Sequence, residues 1–587
     1  MKSTIRVLSI VSVILGVSLM LTKWAVDEHA STAMLLESDL QPRHNIVLDV
    51  SGSEVVSEFK PAMRGVATNN WNYLENGLWD RGSGHLCCPE GKLDAIVDVV
   101  KQIEPGIIRF AGGLWANTTG WDRENIAPDD GDWMYTDHAT GQTYSYGHAY
   151  KPQMVDAFAS FAARTGAEAI IQINVCDNNP AMWADMLRYT NIEHGYGFRY
   201  WELGNEQSLA GAACVDAQAF ASRYQIYRDA LRAVDPSIKL MASATHQPFY
   251  TDWEDTVFAH NSTDVDTLAW HWYQLSEWTS DTDSFAYQGG SVDALLAYGG
   301  NAGTACHDGF GCPGDQIEDG RLDRWTYRRG IAEQKMQQVN GSFRSMHPDL
   351  ETAITEFGVH ASEHEHPVNG SHLAAIWLAD VLPRWAYNGL DILTYSSLED
   401  GGTGPESTNS RGLIGIWDSQ KLDIRPTYYT AWLLANHFGD RMLKSKTSDP
   451  EQKVVAWASS DSDEAGVLKL MLVNLKGEAQ AAQVRVSGFV PASGAAWEMT
   501  SQDPLALVAP DSFTEHTTTI NGVRIPDYQI SDPSVFGDAL ASIAPKAVDV
   551  SQSFRYTLPA YSAVAITLST DPVTSPTEEL DAPSQPQ

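Results

Sequence analysis

The stretch Arg199–Glu206, RYWELGNE, opens as an extended segment and closes on two polar residues. Tyr200, Trp201 and Leu203 have the aromatic and branched character of a buried strand, whereas Gly204 and Asn205 are poor strand residues. A short strand that ends by delivering Asn205 and Glu206 suits a barrel of parallel strands. In that architecture the functional groups stand where strands end at one face.

Working outward, seven further runs have the same texture. They are PAMRGVA (61–67), GIIRFAGG (106–113), AEAIIQINV (167–175), SIKLMASA (237–244), VDTLAWHWY (265–273), ETAITEFG (351–358) and LDILTYSSL (390–398). FRYWELGN (198–205) takes fourth place among them. All are rich in β-branched or aromatic residues and too short for helices. Amphipathic stretches lie between them at 92–104, 152–166, 216–236, 371–389 and 427–439. The second of these begins at Pro152 and ends at Gly166, the expected punctuation of a helix. Strands alternating with helices over residues 60–440 predict a (β/α)8 TIM barrel. An open doubly wound sheet would need a Gly-rich phosphate turn after its first strand, and none follows residue 67.

After residue 440 the helices stop. VVAWASS, VLKLMLVNL, AAQVRVSGF and AVAITLS alternate like strands, which predicts an accessory antiparallel β-sandwich over 441–567. NIVLDVSGSEVVSEF (45–59) is expected to join it. Residues 568–587, rich in Pro, Ser, Thr and acid, read as a disordered tail.

The chain of 587 residues carries 75 Asp and Glu against 39 Lys and Arg, a net charge of −36. That field repels phosphate backbones and anionic membranes, so nucleic acid is excluded as a partner. Lys2 and Arg6 precede an apolar run from Val7 to Leu21. Residues 1–30 therefore read as a signal peptide or an uncleaved signal anchor, and the chain as exported to the periplasm or the exterior. The only membrane contact expected is through that segment. Six cysteines suit an oxidising compartment. Cys306 and Cys312 bracket the loop CHDGFGC, and Cys176 and Cys214 each follow a predicted barrel strand; both pairs are disulfide candidates. Cys87 and Cys88 are adjacent, and no C-x-x-C pair supports zinc.

The chemistry lies at two strand tips. The fourth strand ends at Glu206 and the seventh at Glu356, and these strands oppose one another across an eight-stranded ring. Two carboxylates flanking one bond suit glycosidic cleavage: one protonates the leaving oxygen while the other, ionised, attacks the anomeric carbon. Proximity and burial separate their pKa values and hence their roles. We assign Glu206 as acid/base and Glu356 as nucleophile, with the carboxyls ~5 Å apart in a retaining enzyme. This chemistry requires no cofactor or metal.

These motifs resemble the clan A retaining glycoside hydrolases. WELGNE is similar to the branch holding heparanase-like β-glucuronidases, β-xylosidases and α-L-arabinofuranosidases. IIRFAGGLWANTTGWDRENIAP (107–128) resembles the R-x-P-G-G segment of the arabinofuranosidases, departing from it at Ala111. TEFG is closer to the nucleophile context of cellulase-type and mannanase-type members. The resemblance covers roughly residues 45–567 and implies a polysaccharide or oligosaccharide substrate. It further implies that Asn205 bonds the sugar 2-hydroxyl and that Arg109 holds Glu356 ionised. In HWY, alternation puts His271 and Tyr273 on one face; Tyr273 is the expected donor to Glu356, and His271 a pocket wall or hydrogen-bonding group. Trp115, Trp121, Trp272 and Trp417 fall near strand ends, where aromatic faces stack on sugar rings. Glu399 and Asp400 read as a solvated loop.

Two other readings compete. HASEH (360–364) matches the H-x-x-E-H pattern of inverted zinc proteases, but it follows the seventh strand at once and is closed by Pro367, which disfavours the required helix. A non-catalytic carbohydrate-binding protein would use the same fold without needing both Glu206 and Glu356. The 111–150 loop and the 274–350 insertion are expected to shape the subsites.

Overall fold

The computed structural model describes residues 46–68, 92–127, 132–137, 140–208, 214–245, 251–261, 265–275, 292, 295–298, 329–360, 368–400, 412–415, 420–506 and 517–572. The N-terminal segment 1–30, Cys87–Cys88, Cys306–Cys312, residues 361–364 of the HASEH stretch, Trp417 and the tail beyond 572 lie outside these residues.

Strand β1 (Ile46–Glu58) precedes eight barrel strands: β2 (Gly65–Ala67), β3 (Ile107–Phe110), β4 (Glu168–Ile173), β5 (Tyr200–Leu203), β6 (Lys239–Thr245), β7 (Thr267–Leu275), β8 (Glu351–His360) and β9 (Ile392–Ser396). They form a closed parallel ring in chain order, with Tyr395 of β9 in register with Val66 of β2. All eight fall within or beside the runs read from the sequence.

Alternation along each strand builds two shells. Ile107, Ile170, Tyr200, Met241, Ala269, Ala353 and Ile392 point to the axis and form an apolar layer at the strands' N-terminal ends. In β2 the position is held by Gly65, where a Cβ would lie 2.6 Å from Cγ2 of Ile107. The intervening residues, among them Ile108, Ile171, Trp201, Leu240, Trp270, Ile354 and Leu393, face outward into the large core beneath the helices. One step further along the axis, Arg109, Gln172, Glu202, His271, Thr355 and Thr394 are all fully buried. A dry layer thus supports a polar one, and the polar layer is the floor of the site.

The longer helices of the barrel are α1 (Lys92–Lys101), α2 (Pro152–Thr165), α3 (Pro180–Leu187), α4 (Ala217–Arg232), α5 (Thr251–Asn261), α6 (Ile331–Gln338), α7 (His372–Tyr387) and α8 (Pro426–His437); the expectation of strands alone after residue 440 is corrected by a further helix, Ser534–Ala541. Helix α2 ends at Gly166 in the left-handed region, φ 77°, the usual stop signal. Asp216 caps α4 by accepting from the Ala219 N–H at 2.8 Å. Helix α7 is buried on every side, as its apolar composition requires. Trp377 stacks on Phe357 of the barrel at 5.1 Å, while Asp380 accepts from Trp457 Nε1 of the second domain at 3.0 Å. Burial alone would raise the Asp380 carboxyl, but Arg384 and Arg329 beside it hold it below the usual range.

The second domain is a ten-stranded sheet with β1 inside it. Its main strands are β10 (Arg441–Thr447), β11 (Val454–Ser460), β12 (Val467–Asn474), β13 (Gln480–Ser487), β14 (Ser493–Ser501), β15 (Ser553–Leu558) and β16 (Ser562–Ser569). One face gathers Leu48, Val454, Leu470, Val484, Phe554 and Val564 into its own core. From the other, Trp457, Met471, Val473 and Ala563 join the barrel's core. The expected antiparallel order needs one correction: β1 runs antiparallel to β10 but parallel to β13. A strand arriving from the far end of the chain is not bound by hairpin connections.

Candidate active site

Glu356 reaches the axis because β8 is bulged. Trp270 of β7 pairs with Ile354, yet the next residue, His271, pairs with Glu356. On the other side Leu393 pairs with Ile354 and Tyr395 with Phe357. Two residues, Thr355 and Glu356, therefore share one inward position, as a bulge allows. Strict alternation would have turned Glu356 toward the helices with Ile354.

Glu206 is presented by a tight turn at the end of β5. Gly204 has φ 68° and Glu206 φ 46°, and a Cβ at Gly204 would lie 2.7 Å from Cγ1 of Val175. Between them Asn205 is gripped by its backbone: its N–H donates to Asn117 Oδ1 at 2.9 Å, and Asn117 Nδ2 donates to its carbonyl at 2.9 Å.

Arg109, on β3, joins the two strand ends. It donates from Nε to Glu202 at 2.6 Å, from Nη1 to Glu356 Oε1 at 2.8 Å and from Nη2 to Asn205 Oδ1 at 3.0 Å. Burial would lower its pKa, but the carboxylates of Glu202 and Glu356 outweigh that and push it further up. Glu356 also accepts from Tyr273 Oη at 2.8 Å. His271 Nδ1 lies 2.7 Å from Glu206 Oε1 and 3.5 Å from Glu356 Oε2. One oxygen of each Glu and one His271 nitrogen lie within 4.8 Å of one another. Such a donor set would also fit around a small cation.

Glu206, Glu356, Asn205, Arg109, His271 and Tyr273 therefore converge. Trp115 is partly buried, two residues before Asn117, with its ring against His148 at 3.4 Å between centroids. Trp272 is corrected. Alternation that turns His271 and Tyr273 inward turns Trp272 outward, where it packs fully buried against Phe357, Trp377 and Trp385. Trp121 is likewise buried and donates to Asp185 at 3.0 Å. Glu399 is fully buried rather than solvated. Cys176 and Cys214 form a disulfide with Cα atoms 5.5 Å apart.

Several residues at the site were not singled out from the sequence. Glu202 shares Arg109 and accepts from Thr355 at 2.7 Å; Gln172 Nε2 donates to Asn205 Oδ1 at 3.0 Å; and Asn117 grips the turn. A signal existed for Glu202 and Gln172, since each is a polar residue inside an apolar run, two places after an axis-facing Tyr200 or Ile170. Asn117 carried none, because it ends a single 3-10 turn, Leu114–Asn117, too short to show a period.

Residues 162–288, which include Glu206, His271 and Tyr273, match the family model of the α-L-arabinofuranosidase 1 domain. The intracellular exo-α-(1→5)-L-arabinofuranosidase 1 of Bacillus subtilis is 26% identical over 204 residues, 30% of this chain and 38% of that protein. A second such enzyme, from Acetivibrio thermocellus, is 24% identical over 244 residues, 38% of this chain and 46% of that protein. The matches thus span less than half of those relatives. Among solved structures, a GH51 α-L-arabinofuranosidase from Thermotoga petrophila superposes with a TM-score of 0.63 at 16% identity, covering 89% of this chain and all of that one.

Its relatives are arabinofuranosidases, and it has their fold. The clan A resemblance holds with them, and WELGNE lies within the matched residues. The fold also matches a Paenibacillus polymyxa xyloglucanase of family 44, at a TM-score of 0.52 and 14% identity, so it is shared more widely than one substrate.

Proposed function

We propose that this chain is a retaining α-L-arabinofuranosidase, releasing arabinofuranosyl units from a polysaccharide or oligosaccharide by double displacement. The observation that carries this reading is the approach of Glu206 and Glu356 oxygens to within 4.8 Å. Retaining glycosidases hold their carboxyls roughly 5–5.5 Å apart, whereas inverting ones leave about 6.5–9.5 Å for a water. The sugar follows the names of the relatives.

The two carboxylates sit in unlike surroundings, and this supports the division of roles. Glu356 accepts from the Arg109 guanidinium and from the Tyr273 hydroxyl, contacts that favour its ionised form. Among the described residues Glu206 bonds to His271 alone, through one oxygen, and keeps the other for the substrate. In the first step an oxygen of Glu356 bonds to the anomeric carbon, the glycosidic bond breaks, and Glu206 gives its proton to the departing oxygen. In the second, Glu206 takes a proton from water, the hydroxide bonds to the same carbon, and the ester to Glu356 breaks. Asn205 has its Oδ1 fixed by Arg109 and Gln172, so its amide N–H groups are the end offered to the sugar 2-hydroxyl, a bond that tightens as positive charge develops at the neighbouring carbon.

Export through residues 1–30 belongs to the same reading, supported by Lys2 and Arg6 before the apolar run. The test is hydrolysis of an aryl α-L-arabinofuranoside and of arabino-oligosaccharides by purified protein in EDTA. Wild type is expected to release arabinose and Glu356→Gln to release none above background. Equal release by both, or binding without hydrolysis by wild type, would overturn the reading.

A further inference from the structure

We infer that Gln207, held by the Cys176–Cys214 disulfide, is a positioning residue for Glu206, and that opening the disulfide slows turnover by releasing the turn that presents it. The inference rests on the proposed double displacement.

Glu206 adopts φ 46°, in the left-handed region that a residue with a side chain rarely occupies. Such a backbone persists only where its surroundings over-determine it. Asn117 holds the turn from the side of Asn205, and Gln207 holds it from the other. The Gln207 side chain is buried. Its Nε2 donates to Asn117 Oδ1 at 2.8 Å and to the Asn205 carbonyl at 3.1 Å, while its Oε1 accepts from the Cys214 N–H at 3.1 Å.

Cys214 is thus the anchor of the anchor, and the disulfide fixes it in turn. Cys176 at the other end is rigidly seated: Arg223 Nη1 donates to the carbonyls of Val175 and Cys176 at 2.7 and 2.9 Å, and the Cys176 N–H donates to Asn174 Oδ1 at 2.7 Å. The chain of support runs from α4 through Cys176 and Cys214 to Gln207 and then Glu206. Glu356 is reached less directly: Arg109 and Tyr273, which donate to it, come from β3 and β7. Loss of the disulfide therefore acts first on the acid/base, and on the nucleophile only through Arg109, which bonds both Asn205 and Glu356. Displacement by about 1 Å can cost as much as 10²-fold in rate.

The test uses the full-length oxidised protein and the same protein reduced by dithiothreitol, whose two thiols become a cyclic disulfide as Cys176 and Cys214 become thiols. Far-UV and near-UV circular dichroism confirm that the fold survives. Reduction is expected to lower kcat on an arabino-oligosaccharide about 10- to 100-fold with little change in KM. On an activated aryl glycoside, azide, which needs no general base, is expected to restore the rate. Gln207→Ala is expected to show the same loss while oxidised, and no further loss on reduction. An unchanged kcat after reduction, or an equal further loss in Gln207→Ala, would overturn the inference. Hydrogen exchange needs no substrate: on reduction the amides of 205–207 are expected to exchange at least about tenfold faster while those of β7 hold, and unchanged exchange would also overturn it. Should the oxidised protein hydrolyse no arabinofuranoside, the proposed function fails, and the exchange result still decides the clamp.

Discussion

Arg109 donates to Glu356 across 2.8 Å while fully buried at the floor of the barrel. A buried guanidinium is costly unless its charge is answered, and here it is shared with Glu202 at 2.6 Å. The arrangement keeps a fixed positive charge bonded to the Glu356 carboxylate.

Breaking this group from either side is expected to cost both stability and rate. Removal of one partner from a buried ion pair typically costs about 3–5 kcal/mol. Arg109→Met and Glu202→Gln are expected to lower urea midpoints accordingly. Arg109→Lys is also expected to fail, since a single ammonium cannot serve Glu202, Glu356 and Asn205 at once. Urea titrations with kcat measured alongside check this; a fully active Arg109→Lys would contradict it.

Glu206→Ala is expected to impair substrates in proportion to the basicity of their leaving groups. General acid–base catalysis contributes about 10²–10⁴-fold, so arabino-oligosaccharides are expected to lose that much. An aryl glycoside with an acidic phenol is expected to keep its first step, and azide to accelerate the second. Steady-state kinetics across a phenol series measures the effect, and a uniform loss across the series would contradict the assignment.

Trp272 and Trp115 separate packing from binding. Trp272→Ala opens a cavity against Phe357, Trp377 and Trp385 and is expected to cost about 3–5 kcal/mol, with KM near wild type in whatever remains folded. Trp115→Ala is expected to leave the melting temperature nearly unchanged and to raise KM. Calorimetry paired with substrate titration distinguishes the two.

Much of this was legible in one dimension. The eight strands and the helices at 92–101, 152–165, 217–232, 372–387 and 426–437 announce themselves because the hydrophobic period shifts between 2 and 3.6 at Gly and Pro. Helix Thr251–Asn261, TDWEDTVFAHN, is too polar for that signal. Glu356 was found as a strand-tip carboxylate, but its inward aim depends on the bulge with Thr355, which no residue in TEFG marks. Trp272 shows the converse: the alternation that turns His271 inward turns its neighbour outward, so a place near a strand end does not by itself put a side chain in the cleft. Asn117 and Gln207 act through tertiary contacts from separate turns, which leave no periodic trace.

His437 gives the fold an acid-sensitive element. Its ring stacks on Trp497 at 3.7 Å, and burial, with Lys469 nearby, lowers its pKa from 6.5 to about 4. Between pH 4 and 6.5 the unfolded chain binds a proton that the folded chain does not. Stability from this group is therefore complete above pH 6.5 and falls with decreasing pH, by about 3 kcal/mol once pH reaches 4. His437→Phe is expected to flatten the pH dependence of the urea midpoint in that window by one proton. An unaltered slope would contradict this.

The central claim is a covalent bond between Glu356 and the sugar, and mass spectrometry of a trapped intermediate tests it most directly. Glu206→Ala incubated with an activated aryl α-L-arabinofuranoside, then acid-quenched and digested with pepsin, is expected to carry one anhydropentose on the peptide containing Glu356. A label on a different carboxylate, or no label while NMR shows the released sugar with inverted configuration, would contradict the account.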